Sequence, residues 1–202
     1  MDRCFVILPF ICLVLLFLSL ANSQLLVLQV VPSRFEENLD KKLKSGSEYA
    51  RETAVCKAKQ VFEDLLAQGD RPDLVIGADT VVEYDNLIIE KPFDDEDARR
   101  TLKILRGTRH KVHTGVALIS LLNREDAKYH SFTETTWVQF NEFTDADIDL
   151  YIESGEPFGK AGSYGIQGKA AAFTESIDGC FYNIVGFPIS RFCLELGALG
   201  MG

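Results

Sequence analysis

The stretch that most limits the folds open to this chain is residues 73–92. A hydrophobic run, Asp73-Leu74-Val75-Ile76, leads into Gly77-Ala78-Asp79-Thr80. Val81–Glu83 and Leu87–Ile89 then flank Tyr84-Asp85-Asn86, the pattern of a hairpin with a short turn, and Glu90-Lys91-Pro92 closes it. In open α/β sheets, ligands sit beyond the carboxyl ends of strands. The carboxylate of Asp79, the hydroxyl of Thr80 and the amine of Lys91 therefore predict a phosphate or metal site at the ends of short apolar runs. Ordinary turn chemistry after a strand is the alternative reading of Gly77-Ala78-Asp79-Thr80.

The flanking segments alternate between the two regular periods. Leu25–Val31 is a strand candidate, followed by a polar stretch, 34–44, that holds Glu36 and Glu37. Ser47 offers an N-cap for a helix to about Gln68, with Tyr49, Ala54, Ala58, Val61 and Leu65 along or near one face. Lys57 and Lys59 fall in this helix, where a lysine ordinarily faces solvent. Asp94 caps a helix over Asp95–Leu105, whose acidic first turn complements the helix dipole. Val112, Thr114, Val116 and Leu118 alternate in a strand over Arg109–Leu122; residues 123–128 turn, and His130–Phe140 runs back as a second β segment. Thr144 starts a helix that ends at Gly155. These elements predict an α/β fold with a mixed central sheet flanked by helices.

Gly159–Gly168 is glycine-rich, so its backbone can approach a ligand or turn sharply, and Gln167 offers both a donor and an acceptor to a nucleobase edge. Its spacing matches neither a Walker A loop nor a dinucleotide fingerprint, and a flexible surface loop is the plainer reading. Residues 178–188 read as packing, ahead of an apolar helix to about Leu196.

Residues 1–23 have the layout of a signal peptide: Arg3, an apolar block Phe5–Leu20, then Ala21-Asn22-Ser23. An uncleaved membrane anchor is the second reading. The expected domains are thus a hydrophobic leader, 1–23, and one globular domain, 24–202. In that domain the unpaired set Cys56, Cys180 and Cys193 suits a reducing compartment, and no N-glycosylation acceptor is present. The net charge of -9 argues against a duplex nucleic-acid surface and leaves free nucleotides open. His110 and His113 lack zinc spacing and read as structural.

Taken together, the ordered segments resemble the Maf family of nucleotide pyrophosphatases, in particular the subgroup acting on dTTP and UTP. They are Val30-Val31-Pro32-Ser33 with Glu37, Glu52-Thr53-Ala54 with Lys57-Ala58, Ile76–Thr80, Glu90-Lys91-Pro92, Lys160-Ala161-Gly162, Tyr164–Gln167 and Asn183–Pro188. The resemblance implies a Maf-like fold and hydrolysis of a nucleoside triphosphate to the monophosphate and pyrophosphate in a house-cleaning role. It implies Asp79 as the catalytic residue, Lys57, Lys91 and Glu37 as substrate-binding residues, and Thr80 and Gln167 as determinants of base choice. A divalent cation, Mg²⁺ or Mn²⁺, would be held by Asp79 and Glu37. A cytoplasmic homodimer is implied too, with a secretory or membrane location as the leader's alternative. The chain departs from the family in lacking a Ser-x-Ser-Pro-Arg-Arg segment, whose place the leader takes. The domain thus reads as N-terminally incomplete, missing a strand and a helix, and a weak or inactive nucleotide-binding protein is the alternative function.

Overall fold

A computed structural model of the chain describes residues 3–7, 26–121 and 127–199. Seven strands are found among them: β1 (Arg3–Ile7), β2 (Leu26–Val30), β3 (Leu74–Tyr84), β4 (Leu87–Ile89), β5 (Arg109–Ser120), β6 (Lys128–Phe140) and β7 (Thr174–Asp178). The helices are α1 (Gly46–Ala67), α2 (Asp95–Leu105), α3 (Asp145–Glu153), α4 (Phe181–Val185) and α5 (Ile189–Ala198). The strand order is β2-β1-β3-β5-β6-β7, with β4 paired to β3. The sheet is mixed, since β1 is parallel to β2 and β3 while the β3–β4 and β6–β7 pairs are antiparallel. Helices and a mixed sheet are the α/β class that the alternating patterns predict.

The leader expectation meets the described residues only at Arg3–Ile7. These form β1, registered Phe5 to Leu74 and Ile7 to Ile76 against β3. A continuous apolar run such as Cys4-Phe5-Val6-Ile7 suits a strand with parallel neighbours. A strand therefore stands in the sheet where its loss was expected. The rest of the leader, including the Ala21-Asn22-Ser23 cleavage pattern, lies outside the described residues, as does most of the 123–128 turn. No helix among the described residues is long and apolar enough to cross a membrane.

The described residues fall into two compact units. The first takes them from 1–40, 48–79 and 115–133, and the second from 41–47, 80–114 and 134–202. In the first unit, α1 buries Ala54, Ala58, Val61, Phe62 and Leu65 against Val75 of β3 and Ala117 and Ile119 of β5. Two glycines let helix and strands meet closely. A Cβ on Gly77 would come 2.6 Å from the carbonyl oxygen of Ala54, and one on Gly115 would come 2.3 Å from that of Ala50. With backbone on the opposing side, neither contact could yield by a side-chain rotation.

In the second unit, Val82, Ile89, Leu102, Leu105, Val112, Phe140, Ile148 and Tyr151 belong to one buried cluster. Asp94 caps α2 by accepting from the Asp97 amide at 2.9 Å, and Thr144 and Asp147 form a reciprocal capping box on α3. The β3–β4 connection is a two-residue turn in which Asp85 and Asn86 both have positive φ, 48° and 63°. That is the hairpin turn whose twist matches its strands, and short Asp and Asn side chains tolerate it. Glu83 of β3 is buried; it accepts from the Gly46 amide at the start of α1 at 2.7 Å and from Lys111 Nζ at 2.8 Å. Burial raises the pKa of Glu83, and these donors together with His113 outweigh it, leaving the carboxyl below its ordinary value.

His110 and His113, whose spacing reads as structural, are both buried and hydrogen-bonded. His110 is fully buried, edge-on to Phe140, with Nε2 2.9 Å from the Tyr164 hydroxyl. Burial pushes its pKa down from 6.5 to about 4, against a smaller opposing effect of the Thr108 backbone.

The Gly115→Ala substitution is expected to lower stability by about 1–3 kcal/mol in urea denaturation, because the added methyl meets the Ala50 backbone. The folded state holds His110 neutral while the unfolded chain protonates near pH 6.5. Stability is therefore full above that pH and falls between 6.5 and about 4. The loss amounts to roughly 3 kcal/mol at about 1.4 kcal/mol per pKa unit. Denaturation of a His110→Gln variant across that window should show a shallower pH slope than the parent chain.

Candidate functional site

The close approach of α1 to β3 delivers one side chain to another. Lys57 adjoins Ala58, which packs on Gly77, and Asp79 stands two residues beyond Gly77. Lys57 Nζ lies 2.7 Å from Asp79 Oδ1 and 2.7 Å from Glu37 Oε1. Lys57 and Asp79 are 8% and 7% exposed. Lys57 is therefore not on the solvated face where a helix lysine is ordinarily found, since two carboxylates compensate the charge that burial would otherwise penalise. Burial by itself pushes the Lys57 pKa down; Asp79 and then Glu37 outweigh it and hold the ammonium above its ordinary 10.5. While both carboxylates are ionised, the stabilisation that Lys57 contributes is accordingly fully present below pH 10.5 and is lost as pH rises through the raised value.

Glu37 comes from the polar stretch after β2, which folds as irregular chain fastened to α1. Gln60 Oε1 accepts from Ser33 Oγ at 2.8 Å and from the Arg34 amide at 2.7 Å, and the Phe35 amide donates to Ser33 Oγ at 3.1 Å. The Arg34 guanidinium donates to Asp64 at 2.7 Å. Gln60 is one helical turn beyond Lys57, so the stretch is fixed near the ammonium that Glu37 reaches. Nothing in the local pattern marked Gln60, because its partners are 26 and 27 residues away in sequence.

Asp79 lies within a strand, whereas the pattern Gly77-Ala78-Asp79-Thr80 predicts it at a strand end. β3 continues unbroken from Leu74 to Tyr84, with β1 registered on Leu74–Ile76 and β4 on Val82–Tyr84. Gly77–Val81 thus lies between these two partner segments. Mid-strand placement of an acid is tolerated because the lysine neutralises it.

Thr80, Lys91 and Gln167 belong to the second unit. Thr80 Oγ1 is 2.9 Å from Thr114 Oγ1, and the Thr114 hydroxyl donates to the Asn183 carbonyl at 2.9 Å. Asn183 is fully buried and is held by its amide, which donates to the Val112 carbonyl at 3.0 Å and to Thr136 Oγ1 at 3.1 Å. The segment 178–188, read from sequence as packing, thus contributes a polar anchor as well. Lys91 is exposed just after β4.

Gln167 is exposed on a loop gripped from both sides. The Gly165 amide donates to the Tyr151 hydroxyl at 3.1 Å, which donates in turn to Glu156 Oε1 at 3.1 Å; the Lys169 amide donates to Glu156 Oε2 at 3.0 Å. A Cβ on Gly168 would come 2.2 Å from Glu156 Oε1, so a larger residue there would have to displace the carboxylate that holds the loop. Burial raises the Glu156 pKa, but the Lys169 amide, the Tyr151 hydroxyl, the Ala170 amide and the charge of Lys160 outweigh it and hold the carboxyl below its ordinary value.

The donor set can be tested against a metal by its chemistry. Asp79 and Glu37 offer hard carboxylate oxygens on one ammonium, a cluster of net charge −1 that suits Mg²⁺ or Mn²⁺ better than softer ions. Among the described residues no group of three or more His, Cys, Asp or Glu side chains could hold an ion. Two protein carboxylates fit the habit of Mg²⁺, which is commonly held by one or two carboxylates with water and substrate phosphates.

The family model described as Maf-like protein matches residues 18–199. The chain belongs to the Maf family. Among its relatives, a human protein named probable bifunctional dTTP/UTP pyrophosphatase/methyltransferase protein is 44% identical over 173 residues, covering 83% of this chain and 28% of the human one. A dTTP/UTP pyrophosphatase of Ruminiclostridium cellulolyticum is 43% identical over 163 residues, covering 81% of this chain and 80% of that protein. Another of that name, from Bacillus cytotoxicus, is 41% identical over 185 residues, 92% and 90% of the two chains. The chain thus spans little more than a quarter of the human relative and most of the bacterial ones.

Removing Lys57 should expose the cost of the buried acid. A Lys57→Met variant is expected to lose about 3–5 kcal/mol in denaturant titrations at pH 7. Adding Asp79→Asn in the same chain should recover part of that loss, an outcome that simple damage to α1 would not produce.

Proposed function

We propose that this chain is a nucleoside triphosphate pyrophosphatase acting on dTTP and UTP. The observation that carries the reading is the buried Lys57 ammonium joined at 2.7 Å to both Asp79 and Glu37. The printed names of the bacterial relatives support the substrate class.

In this reading, water attacks the α-phosphorus and the α–β anhydride bond breaks, with the electron pair leaving on pyrophosphate and the nucleoside monophosphate as the other product. Asp79, ion-paired with Lys57, takes the proton of the attacking water. Lys57 and Lys91 place positive charge against phosphate oxygens, where charge gathers during transfer. Asp79 and Glu37 would hold Mg²⁺ or Mn²⁺, which when bound supplies further charge neutralisation to those oxygens. Thr80 and Gln167 read the base. The free thiols of Cys56, Cys180 and Cys193 support a reducing, cytoplasmic setting.

A second reading is a nucleotide-binding protein with weak or no turnover. The observation favouring it is that no Ser-Pro-Arg-Arg segment occurs in the 202 residues. Paired arginines grip phosphates bidentately, each charged hydrogen bond contributing roughly 1.5–3 kcal/mol.

Pyrophosphate release from dTTP and UTP in the presence of Mg²⁺ separates the two. The pyrophosphatase reading expects turnover that falls by at least about 100-fold in Asp79→Asn. Nucleotide binding with no release in the parent chain would favour the second reading, and an Asp79→Asn rate equal to the parent's would remove Asp79 from its role.

A further inference from the structure

The hydroxyls of Thr80 and Thr114 form a short relay with a direction. A threonine hydroxyl carries one proton and two acceptor lone pairs. The Thr114 proton is given to the Asn183 carbonyl at 2.9 Å. A carbonyl cannot donate, so that bond has only one sense. In the 2.9 Å contact between Thr80 Oγ1 and Thr114 Oγ1, Thr114 therefore accepts and Thr80 donates. With its proton spent inward, the Thr80 oxygen has only lone pairs left to offer a ligand.

The far end of the relay is held fast. Thr114 and Asn183 are both fully buried. The Asn183 side chain is bonded to Val112 and Thr136, and Thr136 exchanges hydrogen bonds with the amide and carbonyl of Cys180 at 3.0 Å each. The near end has room. Gly186 stands beside it at φ 115°, where a Cβ would lie 3.6 Å from Thr80 Oγ1, and glycine leaves that space empty.

We propose that Thr114, backed by the Asn183 carbonyl, is a positioning residue that locks the Thr80 hydroxyl as a hydrogen-bond acceptor and so selects a base edge bearing an N–H donor. The inference rests on the reading above that Thr80 meets the base. Uracil and thymine present a proton on N3, and cytosine presents a lone pair there. A locked acceptor pairs with the first and leaves two facing lone pairs with the second, an unpaired buried contact that sites built for hydrogen bonding reject strongly. Gln167, which can turn its amide to present either a donor or an acceptor, cannot by itself impose that choice.

The test compares kcat/KM for UTP and CTP in the full chain, its Thr114→Val and Thr114→Ser variants, and for 3-methyl-UTP in the parent. Thr114→Val keeps the shape but removes the proton sink, freeing the Thr80 proton for a ligand. Its preference for UTP over CTP is expected to fall by about tenfold or more, while Thr114→Ser, which restores the relay, keeps the parent's preference. The parent should cleave 3-methyl-UTP at least about 100-fold less efficiently than UTP. A folded Thr114→Val with an unchanged preference overturns the inference. Should that variant fail to fold, equal use of UTP and 3-methyl-UTP by the parent overturns it just as directly. Cleavage of UTP and CTP at equal kcat/KM leaves the pyrophosphatase reading standing and defeats this inference alone. A parent chain that neither binds nor cleaves any of these nucleotides defeats both.

Discussion

The contact of α1 with Gly77 and Gly115 is the constraint on which the first unit of this protein depends. Helix and strand backbones cannot come this near with a Cβ between them, and only the two glycines and the small face Ala50, Ala54 and Ala58 permit it. That closeness has an electrostatic result. A lysine on a helix ordinarily reaches outward through its flexible stem, but Lys57 is held where its ammonium meets Asp79 and Glu37 together. The cluster is consequently a property of backbone geometry first and of charge second. Substitutions at the glycines should disturb it without touching any charged group.

The second unit holds its polar groups by a different route, through hydrogen bonds from segments distant in sequence. Glu156 and Tyr151 hold both flanks of Gln167, and Asn183 anchors the relay that ends at Thr80. In each case a carboxylate, hydroxyl or carbonyl from another segment fixes the direction of the group it holds. Groups held in this way need little further ordering.

Much of this was legible in the residues. Helix boundaries at Asp94 and Thr144 were announced by capping side chains, and the Asp85-Asn86 turn by residues that tolerate positive φ. The residues Asp79, Lys57 and Glu37 were named from family resemblance, and the fold brings them together. What could not be read depended on contacts distant in sequence. The burial of Lys57 was hidden because its compensating charges lie 20 and 22 residues away, and the continuity of β3 through Asp79 was hidden because an acid after glycine looks like a turn. Strand β7 escaped because Thr174-Glu175-Ser176-Ile177-Asp178 is mostly exposed and polar, and a two-residue period has little apolar contrast to show there. Gln60, Glu83 and Glu156 were passed over for a related reason. Each is an ordinary polar residue in its own segment, and each accepts from a backbone amide at least 13 residues away.

The polarity that hid β7 has its own consequence. In the strand order it stands at the end of the sheet, paired to β6, with Glu175 and Asp178 exposed along it. A terminal strand has an unsatisfied row of amides and carbonyls that another chain could extend. Asp178 is paired with Arg109 at 2.6 Å, so it is Glu175, together with the chain's excess of acidic over basic residues, that repels a second copy carrying the same charges. A strand poor in local β signal is thereby suited to keep concentrated protein from joining sheet to sheet.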